Sequence, residues 1–112
     1  MNMIPVPIKL HLTDSAQGAY TCPADTIEIV EMVHIANRAT DGSDVGIDLW
    51  WTDASDGDDV VYLERGTTII EGDAGIVARS VTLNAGDTLR AQATVSGLAD
   101  LTGTVYEMPE PA

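Results

Sequence analysis

Residues 63–107 read LERGTTIIEGDAGIVARSVTLNAGDTLRAQATVSGLADLTGTVYE. Short runs of aliphatic and β-branched residues alternate with turns made of Gly, Asp and Asn, at intervals of about eight to twelve residues. This spacing is typical of an antiparallel β-sandwich or barrel. Because strands and turns account for nearly every residue, the stretch leaves few side chains for chemistry.

The same pattern extends over the rest of the chain. It predicts an all-β fold, an antiparallel, jelly-roll-like β-sandwich of about eight strands. No window has helical periodicity with caps, and 112 residues suffice for one domain. We expect an N-terminal extended arm or edge strand at 1–18, the sandwich domain at 19–108 and a loose tail at 109–112.

Turn signals divide the chain into its predicted strands. Arg65-Gly66 is expected to stop one of them. Glu31 falls on the same face as Ile29 and Val33, which predicts a β-bulge near Glu31 or burial on both faces. The predicted strands are 6–12, 19–22, 26–37, 45–52, 60–63, 67–71, 76–83, 88–95 and 101–108.

The expected core follows from period-two alternation, which is cleanest in 45–52 and 88–95. Alternate residues of a strand point to opposite faces, so one set of each strand faces the second sheet. The residues expected to lie between the sheets are Val33, Ile35, Val45, Ile47, Leu49, Trp51, Leu89, Ala91 and Ala93.

The charge balance excludes several classes of partner. Five Lys and Arg residues against eighteen Asp and Glu residues give a formal net charge of −13, which disfavours binding to nucleic acid or to anionic membranes. Like charge also keeps a concentrated protein soluble. No apolar run is long enough for a transmembrane helix, and the N-terminus lacks a signal-peptide pattern, so we expect synthesis in a cytoplasm.

Candidate chemistry is sparse. Cys22 is the single cysteine and reads as a small buried residue, since neither His11 nor His34 has a catalytic motif around it. The loop 53–59 holds four carboxylates, but its spacing differs from a calcium-binding loop and fits turns better. We therefore expect no catalytic residues, no metal site, no cofactor and no enzymatic activity.

Trp50 and Trp51 are adjacent on one predicted strand, so their side chains must point to opposite faces. The alternation assigns Trp51 to the core and Trp50 to the outside. Trp50 is then covered by a loop or buried at an interface, where Trp is enriched.

The N-terminal segment is the other candidate interface. Ile4, Val6, Ile8 and Leu10 alternate, so one face requires burial, whereas Pro5 bars the segment from a central strand. It is suited to joining the sheet edge of a neighbouring subunit or to lying on a larger shell. The alternative is an edge strand within its own sandwich.

The order of elements over residues 20–107 resembles a family of small β-sandwich virion proteins of tailed bacteriophages. The matching elements are Ile35-Ala36-Asn37, the aliphatic strand 45–51, Val61-Tyr62-Leu63, the Leu-Asn-Ala-Gly-Asp-Thr-Leu-Arg-Ala element at 83–91, and Val105-Tyr106-Glu107. The double Trp and the acidic loop lie outside the family pattern.

This resemblance implies a virion component on the particle surface, such as a capsid decoration (cement) protein or a neck or tail accessory protein. Its partners would be the major capsid protein or other virion proteins. It also implies a homo-oligomer, with a trimer favoured.

Two other classes stay open. A carbohydrate- or ligand-binding module would use Trp50 and the loop 53–59. A small enzyme is the weaker alternative, because no base and nucleophile are paired in the sequence.

Overall fold

A computed structural model describes residues 3–77 and 80–109. Every strand pairing among them is antiparallel, and the one helical element is a single 3-10 turn, Ala54–Asp56. The strands are β1 (Ile4–His11), β2 (Gln17–Thr21), β3 (Thr26–Asn37), β4 (Val45–Asp53), β5 (Asp59–Ile69), β6 (Ala74–Val77), β7 (Val81–Asn84), β8 (Thr88–Ala93) and β9 (Ala99–Pro109).

The strands form two packed sheets. The first sheet has the order β1-β9-β3, with β6 and β7 lying end to end along the far side of β3. The second has the order β2-β8-β4-β5. Eight strand positions in this order, with most connections crossing between the sheets, make a jelly roll. The predicted all-β sandwich is confirmed.

The core lies between the two sheets. Every residue of the predicted core is buried except Trp51, which is half-buried and packs against the core at the end of β4. Trp51 pairs with Leu89 on one side and with Val61 on the other. Val61 belongs to the edge strand β5 and is itself exposed, so this end of the interior stays open on one side.

A β-bulge interrupts β3, as its sequence predicts. Val30 and Val33 both point into the core, three positions apart, which strict alternation cannot achieve. The register with β9 shifts between Glu31 and His34, and Met32 adopts a φ of 44°. A non-glycine residue at positive φ is strained, and here Met32 is turned outward with 63% of its surface exposed.

The predicted strand end at Arg65-Gly66 is wrong. Strand β5 continues through these residues with its register shifted against β4. Gly66 takes a φ of 64°, and its N–H donates to the Asp48 carboxylate over 2.7 Å. A side chain of the neighbouring strand thus replaces the missing ladder bond, so Gly66 forms a bulge rather than a turn.

The N-terminal segment lies within its own sandwich. β1 pairs along its whole length with β9 and forms an edge of the first sheet. An edge strand tolerates Pro5 and Pro7 where their missing N–H groups face away from the neighbouring strand. At the other end of the chain, β9 runs through Pro109, the first residue of the predicted tail, and residues 110–112 lie outside the described residues.

Two buried polar side chains hold the ends of strands in place. The Asn37 amide donates to the carbonyls of Ser43 and Ile69, each over 2.9 Å, and its oxygen accepts from the Ala39 N–H. The Asp87 carboxylate accepts from the N–H groups of Ala54 and Asn84. Both residues belong to the elements that carry the phage resemblance, and both have structural roles.

Leu49 provides the test of the core. Its side chain is fully buried, so we expect Leu49→Ala to lower the free energy of unfolding by about 2–5 kcal/mol through lost burial and the cavity that remains. Val60→Ala is the control, because Val60 is exposed on β5 and should cost less than about 1 kcal/mol. Urea denaturation measures both values. Equal losses in the two variants would contradict the core assignment.

Candidate functional site

The predicted interface residues do not come together in the structure. Ile8 is buried in the core, and Val6 and Leu10 pack against it, since they face inward from β1. Their predicted interface role is therefore replaced by a role in the core. Ile4 is 57% exposed at the start of the strand. Trp50 lies on β4, in the other sheet.

Trp50 points away from the core, as predicted, yet it is only 9% exposed. Residues of the two neighbouring strands lie directly beside it. Tyr62 of β5 and Arg90 of β8 flank it in register. The rings of Trp50 and Tyr62 have centroids 5.9 Å apart, and the Arg65 guanidinium lies 4.7 Å from the Tyr62 centroid. Trp50 and Tyr62 thus form a tilted aromatic pair, and Arg65 adds a cation-π contact to Tyr62.

The acidic loop 53–59 is built as a turn. Asp53 caps the 3-10 turn by accepting from the Ser55 N–H over 3.0 Å and from the Ser55 hydroxyl over 2.6 Å. Gly57 and Asp58 then take positive φ values, which Gly and Asp tolerate best. The turn interpretation of this loop is confirmed. Within residues 3–77 and 80–109, no group of three His, Cys, Asp or Glu residues could hold a metal ion.

Cys22 is buried, as expected from the sequence. Its sulfur lies 3.4 Å from the Thr26 hydroxyl and 3.6 Å from the Leu83 carbonyl. Burial raises the pKa of the Cys22 thiol, and the charge of Glu28 adds to that rise. A buried thiol with a raised pKa is a poor nucleophile, and its burial fits the interpretation of Cys22 as a small core residue.

Glu28 is a feature that sequence reasoning missed. It lies fully buried on the inner face of β3, between Leu83 of β7 and Glu107 of β9. The Tyr20 hydroxyl donates to its Oε1 over 2.9 Å. Its Oε2 has no hydrogen-bond partner in the described part of the chain. The signal was available, because a bulge near Glu31 shifts the phase of β3 and puts Glu28 and Val30 on the same face as Val33.

The electrostatics of this cluster raise the pKa of the Glu28 carboxyl. Desolvation by burial is the main cause that raises the pKa of Glu28, and the nearby charge of Glu107 raises it further, against hydrogen bonds from Tyr20 and Thr26 that lower it. Burial and the same hydrogen bond raise the pKa of Tyr20. Burial at this end of the sandwich therefore disfavours a negative charge on Glu28 or on Tyr20.

The outer face of the first sheet carries few carboxylates among its described side chains, and we call it the acid-poor face. Its described side chains include two carboxylates, Glu31 and Asp100, with the cations Lys9 and Arg38 and the histidines His11 and His34. Asp100 lies 2.6 Å from the His11 ring nitrogen and 3.8 Å from an Arg38 nitrogen. The formal charges of these described side chains cancel, although the chain carries −13.

One half of the acid-poor face is apolar. Three of the chain's four methionines lie there, together with two isoleucines and a tyrosine. A groove of about 370 Å³ crosses it, lined by Met3, Ile29, Glu31, Met32, Thr104 and Tyr106. Ile27 and Met108 pair across β3 and β9 beside the groove. Methionine-rich apolar surfaces adapt to partners and are enriched at interfaces.

Known structures share this fold at low sequence identity. No protein-family model matches the chain, and a search of curated proteins gives no match. A chain from the disulfide-linked pili of Bacillus endospore appendages aligns with a TM-score of 0.59 and 13% identity, over 98% of this chain and 88% of that one.

Two phage structures are also similar. A chain from the acid-stable capsid of Helicobacter pylori bacteriophage KHP30 aligns with a TM-score of 0.59 and 9% identity, over 96% of this chain and 89% of that one. A pentameric capsid protein from metagenomic phage sequences aligns with a TM-score of 0.50 and 15% identity, over 93% of this chain and 63% of that one. At these identities the likeness establishes the fold.

None of the helical structure described here is long and apolar enough to cross a membrane.

Glu28 should make stability depend on pH. A carboxyl whose pKa is raised by folding holds its proton more tightly in the native state, so its contribution to stability is fully present below about pH 4 and is lost as pH rises through the native pKa. Glu28→Gln mimics the protonated form. We expect this variant to melt at a higher temperature than the wild type at pH 7, and the gap to close below about pH 4.

The matched control for Glu28→Gln is Glu71→Gln, which changes an exposed glutamate and should give a difference from the wild type that varies little with pH. Thermal melts of the three proteins from pH 3.5 to 8 provide the measurement. A Glu28→Gln variant that melts below the wild type by the same margin at every pH would contradict a raised native pKa.

The acidic loop provides a second test. Because the Asp53 carboxylate already caps the turn, the fold should not need calcium. We expect the same melting temperature in EDTA and in excess calcium. A rise of many degrees with calcium, lost in Asp56→Asn, would show that the loop binds the ion.

Proposed function

We propose that this chain is a structural protein of a bacteriophage particle and that it decorates the outside of the shell as a cement protein. The observation that carries the proposal is the β-sandwich fold, which aligns over nearly the whole chain with a chain of a phage capsid. The same fold in a pilus subunit fits a protein that works by assembly.

The surface chemistry supports a role outside the shell. A chain of net charge −13 is repelled by packaged nucleic acid, whereas it stays soluble at high copy number on a particle surface. The proposed partners are the major capsid protein or other virion proteins. A trimer, implied by the family resemblance, stays a prediction, because one chain carries no symmetry.

The described residues favour assembly over catalysis. The buried Cys22 and the paired His11 and Asp100 lie on different elements, and the carboxyl of Glu28 is sealed inside the sandwich. No catalytic pairing of base and nucleophile occurs among the residues that the structure describes, so we propose that the chain is not an enzyme. Function then depends on its surfaces.

The carbohydrate-binding alternative loses its main residue. A sugar stacks on an exposed aromatic face, but Trp50 is covered by Tyr62 and Arg90. Tyr62 is 44% exposed, yet Arg65 lies over its ring. A glycan array with wild type and Tyr62→Ala would detect a site of this kind.

The proposal predicts where the protein is found. Mass spectrometry of purified particles from a phage that encodes this chain should detect it in many copies. Antibodies against the recombinant domain should bind intact particles, since a cement protein lies on the outer surface. Recombinant protein should also cosediment with shells from which the native copies were removed.

The location of the protein on the particle distinguishes a cement protein from an accessory protein of the neck or tail. Antibody labels over the whole shell support a cement protein, whereas labels confined to the neck or tail would favour an accessory protein there. Absence of the chain from purified particles would contradict every virion role.

A further inference from the structure

The acid-poor face carries exposed apolar side chains, and the backbone of β3 holds one of them, Met32, out toward solvent. Met32 sits in the strained bulge of β3 at positive φ and is mostly exposed. Met3 is exposed beside it, and Ile29 and Tyr106 line the floor of the groove. Strained, exposed apolar residues of this kind often occur where a protein binds a partner.

Charge decides which partner fits this face. A basic partner would be drawn to the loops, where Asp41 and Asp44, or Asp56 and Asp58, concentrate the negative charge. A second copy of this chain carries the same −13 and can approach only where both surfaces are nearly neutral. Among the described surfaces, the acid-poor face is nearly neutral. The exposed apolar residues of β5, Val60, Val61 and Tyr62, are not in a neutral region, because they lie beside Asp58 and Asp59.

The size of the face fits a stable dimer. Four strand positions about 4.8 Å apart and strands about 35 Å long give roughly 700 Å² per chain. A typical specific interface buries roughly 800 Å² per partner. The apolar half alone would be too small, so the whole face must be used.

We propose that the acid-poor face binds the same face of a second copy around a two-fold axis that runs along the strands. This axis lays the apolar half of one chain on the apolar half of the other, with both sheets aligned as stacked sheets are within a sandwich. It brings the two grooves together, with Met32 of each chain in the contact. This contact goes beyond the proposed particle role and does not depend on it, and it is an alternative to the trimer that the family resemblance implies.

The test uses variants designed to keep the fold. Met32→Asp places a charge in the contact at a position whose positive φ Asp tolerates better than Met. Thr104→Glu adds a charge in the same groove from β9 and does not depend on the bulge. Val95→Asp is the matched control, because Val95 is exposed in the turn between β8 and β9. Thermal melts confirm that each variant folds.

Light scattering and sedimentation measure the mass of the purified chain. We expect a wild-type dimer, retained in Val95→Asp and weakened by about tenfold or more in Met32→Asp and Thr104→Glu. Raising NaCl from about 0.05 to 0.5 M should strengthen the dimer, since salt screens the repulsion between two acidic chains.

Four outcomes would overturn the inference. These are a monomer at high concentration in every salt, a trimer, a dimer that both groove variants leave intact, and a dimer that salt weakens. None of these outcomes tests the proposed particle role, which is tested by mass spectrometry and antibody labelling of particles. The dimer and the particle role can therefore be contradicted independently.

Discussion

The strands of both sheets must present their apolar side chains to one shared interior, and the rest of the structure depends on that constraint. Side chains alternate strictly along a strand, so a sequence whose apolar spacing slips by one residue must reset its phase. In β3 the slip between Val30 and Val33 is absorbed by the bulge, which turns Met32 out to solvent. The most exposed apolar residue of the acid-poor face is thus a consequence of how the core is filled.

Much of the fold could be predicted because its signals are local. The alternation in 45–51 and 88–93 identified both inner strands of the second sheet, and the mismatched Glu31 indicated the bulge. Gly66 was misread because a glycine preceded by a polar residue looks the same in a turn and in a bulge. The difference depends on the Asp48 carboxylate, which is close only after β4 and β5 have paired.

The candidate site was less predictable for a related reason. Whether Trp50 binds a partner or is covered depends on its neighbours across the sheet, Tyr62 and Arg90, and pairing between distant strands cannot be deduced from periodicity. The same holds for β1, whose pattern fits an arm as well as an edge strand.

The buried polar groups differ in how their hydrogen bonds are satisfied. Asn37 and Asp87 are held by hydrogen bonds that fix strand ends, whereas Glu28 is buried with one oxygen unpaired among the described residues.

The position of β9 between β1 and β3 has a consequence for synthesis. During translation β1 and β3 leave the ribosome before β9, and the edges that will face it have no partner until it arrives. Unpaired edges are templates for joining other nascent chains. On a polysome, the carboxylates that the chain already carries at that stage would hold such neighbours apart, so the acidic composition also protects the protein while its first sheet is incomplete.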